Sequence, residues 1–129
     1  MAHDPAALSP ELTEFLRERH LASLTTVRAD GSLHVCAVGF TWDPEARLAR
    51  VITSAGSQKA RNVQATGRAA VGQVDGPRWC SLEGPARVVD DADAVGEAVD
   101  RYRARYREPR ENPKRVAIEI SVERVLGRA

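Results

Sequence analysis

From residue 115 to 126 the chain alternates. Val116, Ile118, Ile120 and Val122 fall on one side of an extended backbone, and Ala117, Glu119, Ser121 and Glu123 on the other. A period of two suits a half-buried strand and leaves a helix no apolar face. Five more runs have strand character: residues 21–27, 33–42, 48–53, 68–74 and 79–89. The connections carry turn chemistry. Asp30-Gly31 predicts a tight hairpin, while Asp43-Pro44-Glu45-Ala46 and Asp75-Gly76-Pro77 predict two further reversals. Gly84-Pro85 interrupts the fifth run and predicts a bulge or an edge position, since proline has no amide for the ladder.

Three helices fit between these runs. Ser9-Pro10 is a helix start, with Leu12, Phe15 and Leu16 on one face and an end near Arg19-His20. A second runs from Ser57 to about Thr66 and stops at Gly67. A third follows Asp90-Asp91 and reaches about Arg107, with Val95, Ala98, Val99, Tyr102 and Tyr106 at helical spacing. Residues 1–8 read as a loose leader to a single domain spanning 1–129. There is no succession of β-α-β units and no GxGxxG after a strand, so the pattern excludes a Rossmann fold. Mainly β with short helices (α+β), in hairpin-like order, it predicts a small antiparallel barrel with helices over its ends.

The second helix carries an anomaly. With Ser57 as its cap, Lys59 is the second helical residue and Arg61 the fourth. The first turn holds the positive end of the helix dipole and favours acids by roughly 0.3–1 kcal/mol per charge. Two cations beside free amides and the hydroxyls of Thr53, Ser54 and Ser57 predict a bound anion, most simply a phosphate; the alternative is two solvated side chains. A Walker A loop is excluded by spacing.

Other chemistry is sparse. The formal net charge of +1 over 129 residues gives no electrostatic basis for nucleic-acid binding. His3, His20 and His34 have no zinc-ligand spacing, so no metal is expected. Cys36 shares a strand face with His34, but both Cys36 and Cys80 lie in apolar strands where buried thiols are inert. Trp79 beside Arg78 has the chemistry to stack on a planar ligand. The run Arg101, Arg103, Arg105, Arg107, Arg110 reads as a solvated helix face rather than a carboxylate clamp. With no signal peptide and no apolar run long enough to cross a bilayer, the chain reads as a soluble cytoplasmic protein.

The order and spacing of several segments add to this. His20-Leu21-Ala22-Ser23-Leu24-Thr25-Thr26, the run from Gly31 to Phe40, Val51-Ile52-Thr53 and Ser57-Gln58-Lys59-Ala60 resemble the flavin-type split barrel of the pyridoxamine 5'-phosphate oxidase-like superfamily. Arg19-His20-Leu21-Ala22, Ala37-Val38-Gly39-Phe40-Thr41, Gln73-Val74-Asp75-Gly76, Ser81-Leu82-Glu83-Gly84 and Glu123-Arg124-Val125-Leu126-Gly127 resemble its actinobacterial branch, which uses the deazaflavin coenzyme F420 in place of FMN. The resemblance implies a six-stranded antiparallel split β-barrel of the FMN-binding type. It also implies a homodimer with cofactor sites at the interface and a small-molecule substrate. Thr53, Ser57 and Lys59 match the phosphate-binding positions, with Arg61 a weaker inclusion. The ring would lie along His34, Val35, Cys36, Ala37 and Val38. Gln73 and Trp79 would help close the partner's site, and Arg78 would touch substrate carboxylates. The implied reaction is hydride transfer from the reduced deazaflavin to a conjugated acceptor, biliverdin foremost, giving bilirubin. FMN- or pyridoxal-phosphate-linked chemistry on the same barrel, or a non-catalytic flavin or tetrapyrrole carrier, are the alternatives.

Overall fold

Hairpins and caps form where the turn residues place them. Among the described residues, 2–129, a computed structural model contains nine strands and three helices. In chain order these are β1 (Ala2–His3), α1 (Pro10–Arg17), β2 (Ala22–Val27), β3 (Leu33–Val38), β4 (Thr41–Asp43), β5 (Leu48–Ser54), α2 (Gln58–Thr66), β6 (Arg68–Asp75), β7 (Arg78–Val89), α3 (Ala92–Arg105), β8 (Arg115–Ser121) and β9 (Arg124–Arg128). Each helix starts on an oxygen-bearing cap: Ser9 accepts from Leu12 N, Ser57 from Ala60 N and Asp91 from Ala94 N.

The sheet runs β3-β2-β6-β7-β8-β5-β4, antiparallel at every pairing, with β9 and β1 branching from β7. It is one unclosed sheet folded into a split barrel. β7 is shared: residues 78–85 pair with β6, 79–83 also with β9, and 86–89 with β8. The transfer happens at Gly84-Pro85. A Cβ on Gly84 would lie 1.9 Å from the Ser121 carbonyl oxygen, so only glycine lets the strands cross this closely. That pair is therefore a joint inside a central strand and not an edge.

Two other expectations are corrected. The count is nine strands, not six. The run 33–42 breaks at Gly39-Phe40 into β3 and β4, and the run 115–126 breaks at Val122-Glu123 into β8 and β9. At the second break Val122 N donates to Arg47 O and Glu123 N to Glu83 O, which takes the chain out of one ladder and into the next. The leader is not loose either. Ala2 and His3 pair with Leu126 and Val125, and His3 Nε2 lies 2.7 Å from Gly127 O, so the leader covers an otherwise open edge of β9. Met1 lies outside the described residues.

Phe15, Leu24, Phe40, Leu82, Ile118 and Ile120 fill the core and are almost fully shielded from water. Each such side chain contributes roughly 1.5–3 kcal/mol by its burial. The far side of β5 and β8 is also covered, because α3 lies over it: Ala98, Ala117 and Glu119 are all buried. An ionic network crosses this layer. Arg50 Nη1 donates to Asp43 Oδ2 at 2.9 Å, Arg101 Nη2 lies 3.1 Å from the same oxygen, and Arg87 donates to Glu119 Oε1. Burial works to raise the Asp43 pKa, but the hydrogen bonds from Arg50 and the Ala46 amide and the nearby Arg101 outweigh it, and the carboxyl stays below its ordinary value.

Candidate cofactor site

The Val51-Ile52-Thr53 run ends β5 against β8, with Thr53 opposite Val116 and Ser54 opposite Arg115. The chain then turns through Ala55-Gly56 into α2. Ser57 is the cap, and its Oγ lies 3.0 Å from Thr53 Oγ1. No acid occupies the first turn of α2, so Lys59 sits as its second residue beside the free amides. Lys59 is half-buried. Arg61 points elsewhere and donates to Gln58 Oε1 at the surface.

Lys59 opens onto a pocket of about 780 Å³. One wall is the end of β3, Ala37 and Val38, with Gly39 beyond it; another is Ile52, Thr53 and Ser54 of β5. Tyr102 of α3 and the loop from Arg107 to Asn112 complete it together with Arg115. The loop is anchored to β5: Ala55 N donates to Lys114 O and Asn112 Nδ2 to Ser54 Oγ. Lys59, Arg107, Arg110 and Arg115 face two acids, and Glu108 is already paired with Arg103, which holds its carboxyl below the usual range. The pocket thus carries excess positive charge from α2, from the loop after α3 and from the start of β8. The backbone wall and the Tyr102 ring provide flat surfaces, and the cations fit an elongated anionic ligand such as a phosphate-bearing cofactor.

Of the residues expected from the sequence, Ala37, Val38, Thr53 and Lys59 line this pocket, and Ser57 adjoins it through the Thr53 hydroxyl. His34, Val35 and Cys36 lie further along β3. His34 and Cys36 are paired with Thr26 and Leu24, and the His34 Nδ1 is shielded and without a hydrogen-bond partner. Val35 points out of the sheet and is 60% exposed. Gln73 is fully buried, donates to Phe15 O and accepts from Arg105 Nη2. Arg78 is engaged within the chain: both of its terminal nitrogens are held by Glu18, and Asp75 binds the same guanidinium. Arg78 also covers the Phe15 ring at 4.5 Å and belongs to a different depression, beside α1. Glu18, His20 and Asp75 bring three potential ligand atoms within 4.8 Å of one another, and this guanidinium is bonded to both acids of the group. Trp79 is half-buried on β7, opposite Val74.

Sequence reasoning missed Gly39, Ile52, Tyr102, Arg107, Arg110, Asn112 and Arg115. The signal for two of them was the arginine run, whose members separate by role. Arg101 and Arg103 form ion pairs, Arg105 is drawn into the interior, and Arg107 and Arg110 line the pocket.

The shared β7, the branched sheet and a pocket between β3, β5 and the start of α2 define a flavin-type split barrel. The chain belongs to the Pyridoxamine 5'-phosphate oxidase family, whose pattern its residues 8–129 match. It is 58% identical over 129 residues to an F420H(2)-dependent biliverdin reductase of Mycobacterium tuberculosis (strain CDC 1551 / Oshkosh), covering 100% of this chain and 94% of that one. Among solved structures, one described as an F420 reductase is similar at 26% identity with a TM-score of 0.74, covering 93% of this chain and 98% of that one. A conserved hypothetical protein of Mycobacterium tuberculosis shares the fold at 24% identity with a TM-score of 0.80, covering 98% of this chain and 88% of that one.

Proposed function

We propose that this protein is an F420H2-dependent oxidoreductase that reduces a conjugated tetrapyrrole, biliverdin, to bilirubin. The observation that carries the reading is the 58% identity across the full chain to a relative with that activity. The pocket supports it independently, by its size, its flat walls and its excess of cations. Bound in reduced form, F420 would supply a hydride from its deazaflavin C5 to the central C10 bridge of the tetrapyrrole, and a proton from water or a protonated group would complete the reduction.

The chain's own residues bind and orient. Lys59, the Thr53 and Ser57 hydroxyls and the first-turn amides of α2 hold the phosphate. Ala37 and Val38 offer the β3 backbone to one side of the ring, while His34, Val35 and Cys36 fix that strand in the sheet. Arg107 and Arg110 take the part expected of Arg78 and hold the propionates of the acceptor.

The working unit is a homodimer. β2, β3, β6 and β7 present an outer face on which Leu33, Val35 and Val74 are each more than half exposed, with Trp79 beside them. Ala37 belongs both to this face and to the pocket lining, so a second copy packed on the face closes the pocket. In that arrangement Trp79 reaches towards the partner's site. Among the described residues no helix is long and apolar enough to cross a membrane, and Cys36 and Cys80 are free, which suits a reducing cytoplasm.

The test is a titration of the purified protein with F420, FMN and pyridoxal phosphate, followed by addition of biliverdin to the F420H2 complex. F420 is expected to bind most tightly and its reduced form to be consumed only when biliverdin is present. Tighter binding of FMN would overturn the choice of cofactor. Binding of F420H2 and biliverdin without consumption would make the protein a carrier.

A further inference from the structure

Arg105 and Tyr106, the last residue of α3 and its cap, meet three segments that are distant in sequence. Arg105 donates through Nε to Glu18 O (2.8 Å), through Nη1 to Phe40 O (2.6 Å) and through Nη2 to Gln73 Oε1 (2.5 Å). Its guanidinium lies over the rings of Phe40 and Tyr106, at 4.8 and 5.1 Å from their centroids. The Tyr106 hydroxyl accepts from Phe40 N at 3.1 Å and donates to His20 O at 2.7 Å. Tyr106 also packs against Tyr102 with ring centroids 5.0 Å apart. Both rings lie on Gly39, where a Cβ would come within 2.9 Å of Tyr106 Cε2 and 3.1 Å of Tyr102 Cε2. Residues 37–39 form one pocket wall, Tyr102 part of another, and the arginine loop begins at the residue after Tyr106.

We propose that Tyr106, seated on Gly39 and held by Arg105, is a positioning residue that fixes the spacing between the β3 wall of the cofactor pocket and its arginine loop. It touches neither ligand nor reacting atoms; it acts through Phe40 on the wall and through the chain itself on residues 107–115. The absence of a side chain at Gly39 is what permits this: the glycine lets the two rings approach the backbone where β3 ends and β4 begins. A larger residue there would push Tyr102 towards the pocket and Tyr106 off its partners. This inference rests on the reading of the pocket as the F420 site.

Tyr106→Phe keeps the ring and removes the hydroxyl's bonds to Phe40 and His20. Backbone hydrogen exchange and F420H2 binding are compared in the full-length protein and the variant, with steady-state kinetics against biliverdin. Exchange of the Phe40 amide rises in any case, because its acceptor is gone. Positioning further requires faster exchange at Ala55 and Arg115, whose amides bond to Lys114 O and Asn112 O on the far side of the pocket. It also requires about a fivefold rise in Kd and KM for F420H2, with kcat at saturating cofactor within about twofold. A lower melting temperature with unchanged exchange at Ala55 and Arg115 and unchanged Kd would reduce Tyr106 to a structural contact and overturn the proposal. Should Tyr106→Phe not fold, Gly39→Ala displaces the same rings from the other side and is read by the same measurements. If the unaltered protein does not bind F420H2, the functional reading fails, while exchange at Ala55 and Arg115 still decides whether Tyr106 ties the two walls.

Discussion

Lys59 and Arg61 read alike in the sequence, two cations in the first turn of one helix. In the structure they have different surroundings. Residues two apart on a helix do not share a face, and the one that looks into the pocket is Lys59, while Arg61 lies on Gln58. Lys59→Ala is therefore expected to weaken F420 binding by about 1.5–3 kcal/mol, the loss of a hydrogen bond to a charged group. Arg61→Ala should change it by less than about twofold, as removal of an exposed contact does. A fluorescence titration of both variants checks the contrast. Legibility followed chemistry that is local in the chain. Thr53, Ser57 and Lys59 sit within one strand-turn-helix segment, and their grouping was evident from spacing. The surroundings of Gln73 and Arg78 were not legible because their partners, Phe15 O and Arg105 for one and Glu18 for the other, are distant along the chain. The thiol reading is closed at Cys80, since burial pushes its pKa up to about 11 and keeps it protonated.

Helix starts were legible because caps are written in one or two residues: Ser9, Ser57 and Asp91 each do what their side-chain oxygens allow. Strand breaks were not. Strand-forming residues run on through 33–42, and in 115–126 the alternation lapses only at Arg124; the contacts that divide those runs are tertiary: two tyrosine rings on Gly39 in one case, bonds to Arg47 and Glu83 in the other. The face of β8 that looked polar in the sequence is buried because α3 lies on it, so Glu119 needed Arg87 and Arg50 nearby. The junction between α1 and β2 makes a further prediction. Hydrogen bonds from Arg78 and His20 pull the Glu18 pKa down to about 2, from an ordinary 4.5. A depressed acid stabilises the fold fully above its unfolded value, and that contribution disappears as pH falls from about 4.5 towards 2. Glu18→Gln should lower the urea midpoint at neutral pH, and the two proteins should converge near pH 2. Parallel curves down to that pH would mean that the Glu18–Arg78 pair adds nothing to stability.

The antiparallel barrel, with helices at its ends, was legible from hairpin signals, because β2-β3, β4-β5 and β6-β7 pair across short turns. The pairing of β5 with β8 was not, since sixty or more residues separate them and no turn announces it. The outer face of β2, β3, β6 and β7 escaped notice for another reason. A valine on an exposed strand looks the same in sequence as one in the core. Val35→Asp puts a charge in the middle of that face. Sedimentation is expected to give a dimer for the unaltered protein and a monomer for the variant, with weaker F420 binding in the monomer. A variant that stays dimeric would place the interface elsewhere.

β8 has a consequence for how the protein comes into being. It lies between β7 and β5, and among the described residues it is the strand through which β5 and β4 join the rest of the sheet. Until it emerges during synthesis, β5 has β4 on one edge and nothing on the other, so Thr53 lacks the ladder that places it, although α2 already rests on β2 through Asn62 and Thr26. Pairings this distant along the chain carry a large loop-closure cost and form late. The pocket is therefore completed late, when Arg115–Ser121 slides into place, and a chain interrupted before that segment has Thr53, Ser57 and Lys59 without the wall that Arg115 adds.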